Sequence, residues 1–272
     1  MKASAFDYVR PPDLAGVLDM LRQFSGAKLI AGGQSLLPLL NLRLARPTLL
    51  IDIGRTEALR AIEDRGTHVR IGAAVTHAEL EDCLIPDCPM LRTVAGGIAY
   101  RAIRNRGTVG GSLAHADPAA DWPLAMAALG ATVVVEGKAG HRRLPADGFM
   151  LGAFQTRLEE DELVVAVDVP KLSPDARYGY YKFCRKTGEF PEASAAAVFD
   201  PFSRTARLYL GALSGPPQPL HDLAATIARQ GLAAIADVAI ADAVDRVAAG
   251  DSIERRMRCA AVTRALKEVF AE

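Results

Sequence analysis

The chain has 272 residues, half of them apolar and only 6% aromatic, with 32 Lys and Arg balanced by 32 Asp and Glu. So much apolar surface argues against a disordered chain, and the missing basic excess argues against a general nucleic-acid or membrane-surface binder. Four cysteines in so long a chain exclude a disulfide scaffold.

The first elements read as a small α/β unit. Asp13 caps an expected helix running to Phe24, with Leu14, Val17, Leu18 and Leu21 on one face. Asp7 and Arg10 interrupt any secretory signal, and no apolar run is long enough for a membrane span, so a cytoplasmic protein is expected. Lys28 to Ala31 reads as a strand, followed by Gly32-Gly33-Gln34-Ser35 and a helical pattern from Leu36 to Leu44. Leu49 to Ile53 is a buried strand after Pro47. A second segment opens with a hairpin, Leu59 to Ile62 and His68 to Ile71 around Asp64-Arg65-Gly66. Thr76 and Glu79 form a capping-box pattern before a short helix. A helix from Met90 to Ile98, a Gly-containing stretch from Asn105 to Asp121 and a helix through Leu129 follow. Strands are expected at Ala131 to Glu136 and Glu162 to Val169. Pro170, Ser173 and Pro174 mark the best boundary. Beyond it come strands at Tyr178 to Arg185, Ala193 to Phe199 and Ala206 to Leu213, closed by Gly215-Pro216-Pro217. Helices at Leu220 to Gln230, Ile235 to Ala249 and Ile253 to Phe270 then cover one face of that sheet.

Two glycine-rich stretches carry the chemistry. In Ala31-Gly32-Gly33-Gln34-Ser35, paired glycines admit a close ligand, successive N–H groups can converge on an anion, and Gln34 and Ser35 add donors. The same residues also suit an ordinary strand-to-helix turn. Neither a Walker loop nor a Gly-x-Gly-x-x-Gly fingerprint is present. In the second stretch Thr108 and Ser112 bracket Gly110-Gly111 with hydroxyls. Asp121 suits either a helix N-cap or an acceptor for ribose or ribityl hydroxyls. His115 has no carboxylate or cysteine at ligand spacing, and no Cys-x-x-Cys occurs, so no metal site is expected. Two Gly-Gly loops flanked by hydroxyls suit a ligand with two phosphates and a long polyol.

These motifs, in this order and spacing, carry a family resemblance. Ala31-Gly32-Gly33-Gln34-Ser35-Leu36, Ile103-Arg104-Asn105-x-Gly107-Thr108-Val109-Gly110-Gly111-Ser112 and Asp117-Pro118-x-x-Asp121 resemble the FAD-binding medium subunit of the molybdenum hydroxylases, the xanthine dehydrogenase and carbon monoxide dehydrogenase family. The resemblance covers nearly the whole chain. It implies an α+β protein: a two-subdomain FAD-binding fold of the vanillyl-alcohol-oxidase type at 1–56 and 57–172, then a C-terminal α+β domain at 173–272 with a three-stranded sheet and helices. It implies FAD contacts at Leu29, Ile30, Ala31, Gly32, Gly33, Gln34, Ser35 and Leu36, at Ala99, at Thr108, Val109, Gly110, Gly111 and Ser112, and at Asp121. Val164 matches an apolar cofactor contact, although a core strand residue fits equally. Lys182 matches a lysine beside the flavin, where a cation stabilises the reduced ring; the other reading is a solvated strand lysine. After the basic strand, Gly188-Glu189-Phe190-Pro191-Glu192 departs from the family's Gly-Asp-aromatic-Ala: Phe190 keeps a ring, and Pro191 alters the backbone beside it. The resemblance further implies partner subunits, a large one with molybdopterin and a small one with [2Fe–2S] clusters, in a dimer of heterotrimers that moves electrons through FAD to an outside acceptor. A stand-alone flavoprotein oxidoreductase using NAD(P)H and a non-redox assembly module are the alternatives.

Overall fold

The computed structural model describes residues 2–85, 88–231 and 237–270. Its first sheet is parallel, β1 (Asp7–Val9), β3 (Leu49–Asp52) and β2 (Ala27–Ile30) in that order. Helix α1 (Leu14–Gln23) crosses over it, capped by the Asp13 carboxylate accepting from the Gly16 N–H. Val17 and Leu18 bury against Leu49, Ile51 and Ile53. Helix α2 (Leu36–Asn41) is shorter than the sequence pattern to Leu44 suggested, because Arg43 takes a left-handed conformation, φ 58°, just past its end.

The second sheet is antiparallel: β4 (Ile62–Asp64), β5 (His68–Gly72), β10 (Leu163–Pro170), β6 (Thr132–Gly137) and β7 (Gly140–Pro145). Leu59 belongs to a single 3₁₀ turn, Glu57–Leu59, and not to the hairpin strand. Strand β7 has no apolar pattern, since it lies at the sheet edge and carries arginines. Arg142 pairs with Glu162 at 2.6 Å, and Arg143 with the buried Asp168 at 2.6 Å. A two-stranded ribbon, β8 (Met150–Gly152) and β9 (Gln155–Thr156), follows β7. Five helices surround this sheet: α3 (His77–Asp82), α4 (Pro89–Gly97), α5 (Arg101–Arg104), α6 (Val109–His115) and α7 (Asp121–Leu129). The Thr76–Glu79 capping box forms as read.

The third sheet runs β11 (Arg177–Phe183), β12 (Ala193–Asp200), β13 (Thr205–Gly211) and β14 (Gln218–Pro219). It has four strands where three were expected. The fourth is a two-residue edge strand ending in proline, which local sequence reads as a breaker. Helices α8 (His221–Gln230), α9 (Asp237–Val247) and α10 (Ser252–Val269) pack on one face. Ile235, read as the start of α9, lies outside the described residues. These three helices cover one face as expected, and α7 packs on the other face of β12 and β13. This explains why all eight residues of β12 are buried without alternation. Helix α7 is buried at every residue and apolar all round, since it lies between the second and third sheets. The mixed α+β class therefore holds. No helix among the described residues is long and apolar enough to cross a membrane.

Candidate functional site

The first glycine-rich loop leaves the carboxyl end of β2, where a parallel sheet opens a crevice for ligands. Gly33 has φ 72°, a left-handed turn that a side chain would strain, and it swings the chain from strand into α2. The N–H groups of Gly32, Gly33, Gln34, Ser35 and Leu36 donate to no protein acceptor among the described residues. Five successive free donors around a left-handed turn form a concave nest for an anion. The Ser35 side chain makes no capping bond, and Gln34 Nε2 donates to the Gly32 carbonyl at 3.2 Å. Leu29 and Ala31 pack on the core of the first sheet.

The second stretch is not the loop the sequence suggested. Thr108 caps α6, its Oγ1 accepting from the Gly111 N–H at 3.1 Å, so both glycines lie in the first helical turn. Each glycine costs a helix about 1 kcal/mol relative to alanine, but close packing demands them. A Cβ on Gly110 would stand 2.4 Å from that of Ala73. The Val109 and Gly110 N–H groups donate to the carbonyls of Val75 and Ala73. Ser112 is half-buried and Gly111 exposed on the same helix. The two stretches meet: a Cβ on Gly32 would lie 2.0 Å from the Arg106 carbonyl oxygen and 2.9 Å from the Gly107 Cα. Here the absent side chain admits the protein's own backbone.

Beneath this junction lies His77, which the sequence reading passed over. Its Nδ1 accepts from Trp122 Nε1–H at 3.0 Å, its own N–H donates to the Gly107 carbonyl, and its ring fills the space left by Gly107. Burial, reinforced by the nearby Arg104 guanidinium, lowers its pKa to about 4 from 6.5. The unfolded chain therefore binds a proton that the folded one refuses between those values. Stability is full above pH 6.5 and falls as pH drops toward 4, by on the order of 3 kcal/mol. His77→Gln should flatten that slope in chemical denaturation measured across the window; an unchanged slope would contradict this origin.

A second cluster forms where β11 passes α7 and the end of α4. Asp121 is the first residue of α7 but does not cap it; Ala120 occupies the cap position. The carboxylate instead accepts from the Tyr180 hydroxyl at 2.6 Å and pairs with Lys182 Nζ at 3.1 Å. Lys182 is no solvated lysine: its side chain is 12% exposed. Its Cε runs beside Gly97, two residues before Ala99. Ala99 has φ 41°, held there by Arg104, which donates to the carbonyls of Ile98 and Ala99 and is anchored by Glu81. Gly188 packs on the Ala99 carbonyl, and Phe190 beyond it is two-thirds exposed. Val164 is buried in the large core on β10, behind α6. The His115 and Phe154 rings meet at a tilt, centroids 5.1 Å apart. Among the described residues no group of His, Cys, Asp and Glu is placed to hold a metal.

The family model for the FAD binding domain in molybdopterin dehydrogenase matches residues 4–172. The chain belongs to this family. As an FAD-binding medium subunit of the molybdenum hydroxylases, it is 37% identical over 227 residues to the nicotine 6-hydroxylase medium subunit of Paenarthrobacter nicotinovorans, covering 82% of this chain and 80% of the relative. It is 42% identical over 196 residues to the carbon monoxide dehydrogenase medium chain of Hydrogenophaga pseudoflava, covering 71% and 68%. A solved carbon monoxide dehydrogenase from the same organism superposes with a TM-score of 0.89 at 35% identity, over 100% of this chain and 99% of that one. Quinoline 2-oxidoreductase from Pseudomonas putida 86 gives 0.87 at 31%, over 99% and 98%. FAD fits the residues present. A pyrophosphate needs several neighbouring N–H donors, which the Gly32–Leu36 nest offers. A flavin ring fits beside small residues and a fixed cation, and Gly97, Ala99 and the Lys182 ammonium are of that kind.

Proposed function

We propose that this chain is the electron-transfer subunit of a molybdenum hydroxylase, receiving electrons from [2Fe–2S] clusters of a small partner and delivering them to an external acceptor. A large partner with molybdopterin oxidises the organic substrate, and two such heterotrimers associate. FAD, when bound, supplies the redox chemistry. The chain's residues bind and tune it. The N–H groups of Gly32 to Leu36 hold the pyrophosphate, with Leu29 to Ala31 behind them and Thr108 to Ser112 closing from the other side. Asp121, Ala99 and Lys182 stand at the ribityl and ring end, and Val164 lies in the core behind α6. Residues 1–56 and 57–172 form the two FAD-holding parts and 173–272 the C-terminal cover, each built on its own sheet. Cysteines outside any disulfide among the described residues suit the reducing cytoplasm.

The observation that carries this reading is the run of five N–H groups, unpartnered among the described residues, beside the Gly32–Arg106 contact with the segment before α6. The test is anaerobic mixing of the FAD-loaded chain with its pre-reduced small iron–sulfur subunit. Bleaching of the flavin absorbance is expected. Bleaching by NADH but not by the clusters would favour a stand-alone flavoprotein, and absence of flavin bands after reconstitution would leave an assembly module.

A further inference from the structure

Tyr180 and Lys182 are two residues apart on β11, so both side chains leave the same face of the strand. Both end on one carboxylate. The Tyr180 ring belongs to the large core, and its hydroxyl, buried with it, donates to Asp121 Oδ1 at 2.6 Å. Lys182 Nζ stands 3.1 Å from Oδ1 and 3.3 Å from Oδ2. Asp121 is itself 6% exposed, so these two donors offset much of the cost of burying its charge. The main chain is fixed at the same point: the Tyr180 N–H donates to Glu268 Oε2 of α10 at 2.9 Å. Tyr180 is therefore anchored by its backbone, its ring and its hydroxyl, while Lys182 is a flexible stem held at its tip.

We infer that Tyr180 is a positioning residue: by holding Asp121, it sets where the Lys182 ammonium sits and how much of that charge reaches the flavin. This rests on the FAD reading above. A hydroxyl donating to the carboxylate absorbs part of the negative charge that would otherwise cancel Lys182. Without it, Asp121 swings onto the ammonium and the net positive field at the ring weakens.

Tyr180→Phe keeps the ring and removes only this bond. In the full chain loaded with FAD, the ratio of reduced to oxidised flavin at a fixed potential should fall by about threefold or more. The same substitution in an Asp121→Asn background should change nothing, because its effect runs through that carboxylate. A second readout does not need the flavin: in the FAD-free chain, acetylation of Lys182 followed by mass spectrometry should run about threefold slower in Tyr180→Phe, because the carboxylate then holds the ammonium more tightly. An unchanged potential together with an unchanged acetylation rate would overturn the inference, as would a Tyr180→Phe effect that persists undiminished beside Asp121→Asn. Slower acetylation with a potential insensitive to Lys182→Ala would retain the positioning role and overturn the flavin-side assignment instead.

Discussion

Gly32→Ala should strip the chain of FAD while leaving its three sheets folded. The new Cβ would lie 2.0 Å from the Arg106 carbonyl oxygen and 2.6 Å from its carbon. Neither is a flexible side chain, so the first loop and the segment before α6 must part. The Arg106 side is tied down: the Gly107 N–H donates to the Ile103 carbonyl at 2.8 Å, and its own carbonyl holds His77. The first loop therefore gives way, and its N–H nest loses alignment. Loss of two or more charge-assisted hydrogen bonds, each worth about 1.5–3 kcal/mol, reduces FAD affinity by roughly 100-fold or more. The flavin-to-protein absorbance ratio after equilibration with FAD reads this directly. Gly215→Ala is the control, since a Cβ there meets nothing within 4 Å. Full flavin stoichiometry in Gly32→Ala would show that the junction of the two stretches does not organise the site.

Lys182→Ala should act on stability and on the flavin together. It leaves the Asp121 carboxylate buried with Tyr180 as its remaining side-chain donor. Removing one member of a buried ion pair costs about 3–5 kcal/mol, and the slight exposure of Lys182 places the expected loss near the lower end, about 3 kcal/mol. The denaturation midpoint of the FAD-free chain measures that loss. Adding Asp121→Asn should recover part of it, because the unpaired charge is then gone. The flavin potential should fall in Lys182→Ala, since no cation remains to offset the negative charge of the reduced ring. A double variant no more stable than the single would contradict the ion-pair account, and an unaltered potential would contradict the electrostatic one.

What the residues disclosed locally was set by short-range chemistry. Asp13 before an apolar face, the Thr76–Glu79 box and the apolar run of β10 each carry their signal within a few positions, and each forms as expected. Helix α6 is not legible because its glycines oppose helix formation locally, while the Ala73 and Val75 carbonyls that hold its first turn lie more than thirty positions away. Strand β7 is not legible because Gly-His-Arg-Arg-Leu-Pro has no apolar alternation; its partners are Asp168 of β10 and Glu162 just before it. At the site, the motifs located both glycine-rich stretches, Asp121 and Lys182. They did not reveal that Gly32 faces protein backbone, that Asp121 and Lys182 form a pair, or that Tyr180 and His77 support them. Those facts join residues 45 to 74 positions apart, and no local pattern encodes them.

The most direct test of the account compares FAD with riboflavin in equilibrium titrations of the wild-type chain. Riboflavin keeps the ring and ribityl chain and lacks the pyrophosphate and adenosine. If the Gly32–Leu36 N–H groups hold the pyrophosphate, FAD should bind at least about 100-fold more tightly, reflecting several charge-assisted hydrogen bonds. The preference should disappear in Gly32→Ala. Equal affinity for the two flavins would contradict the claim that the first loop is a phosphate cradle.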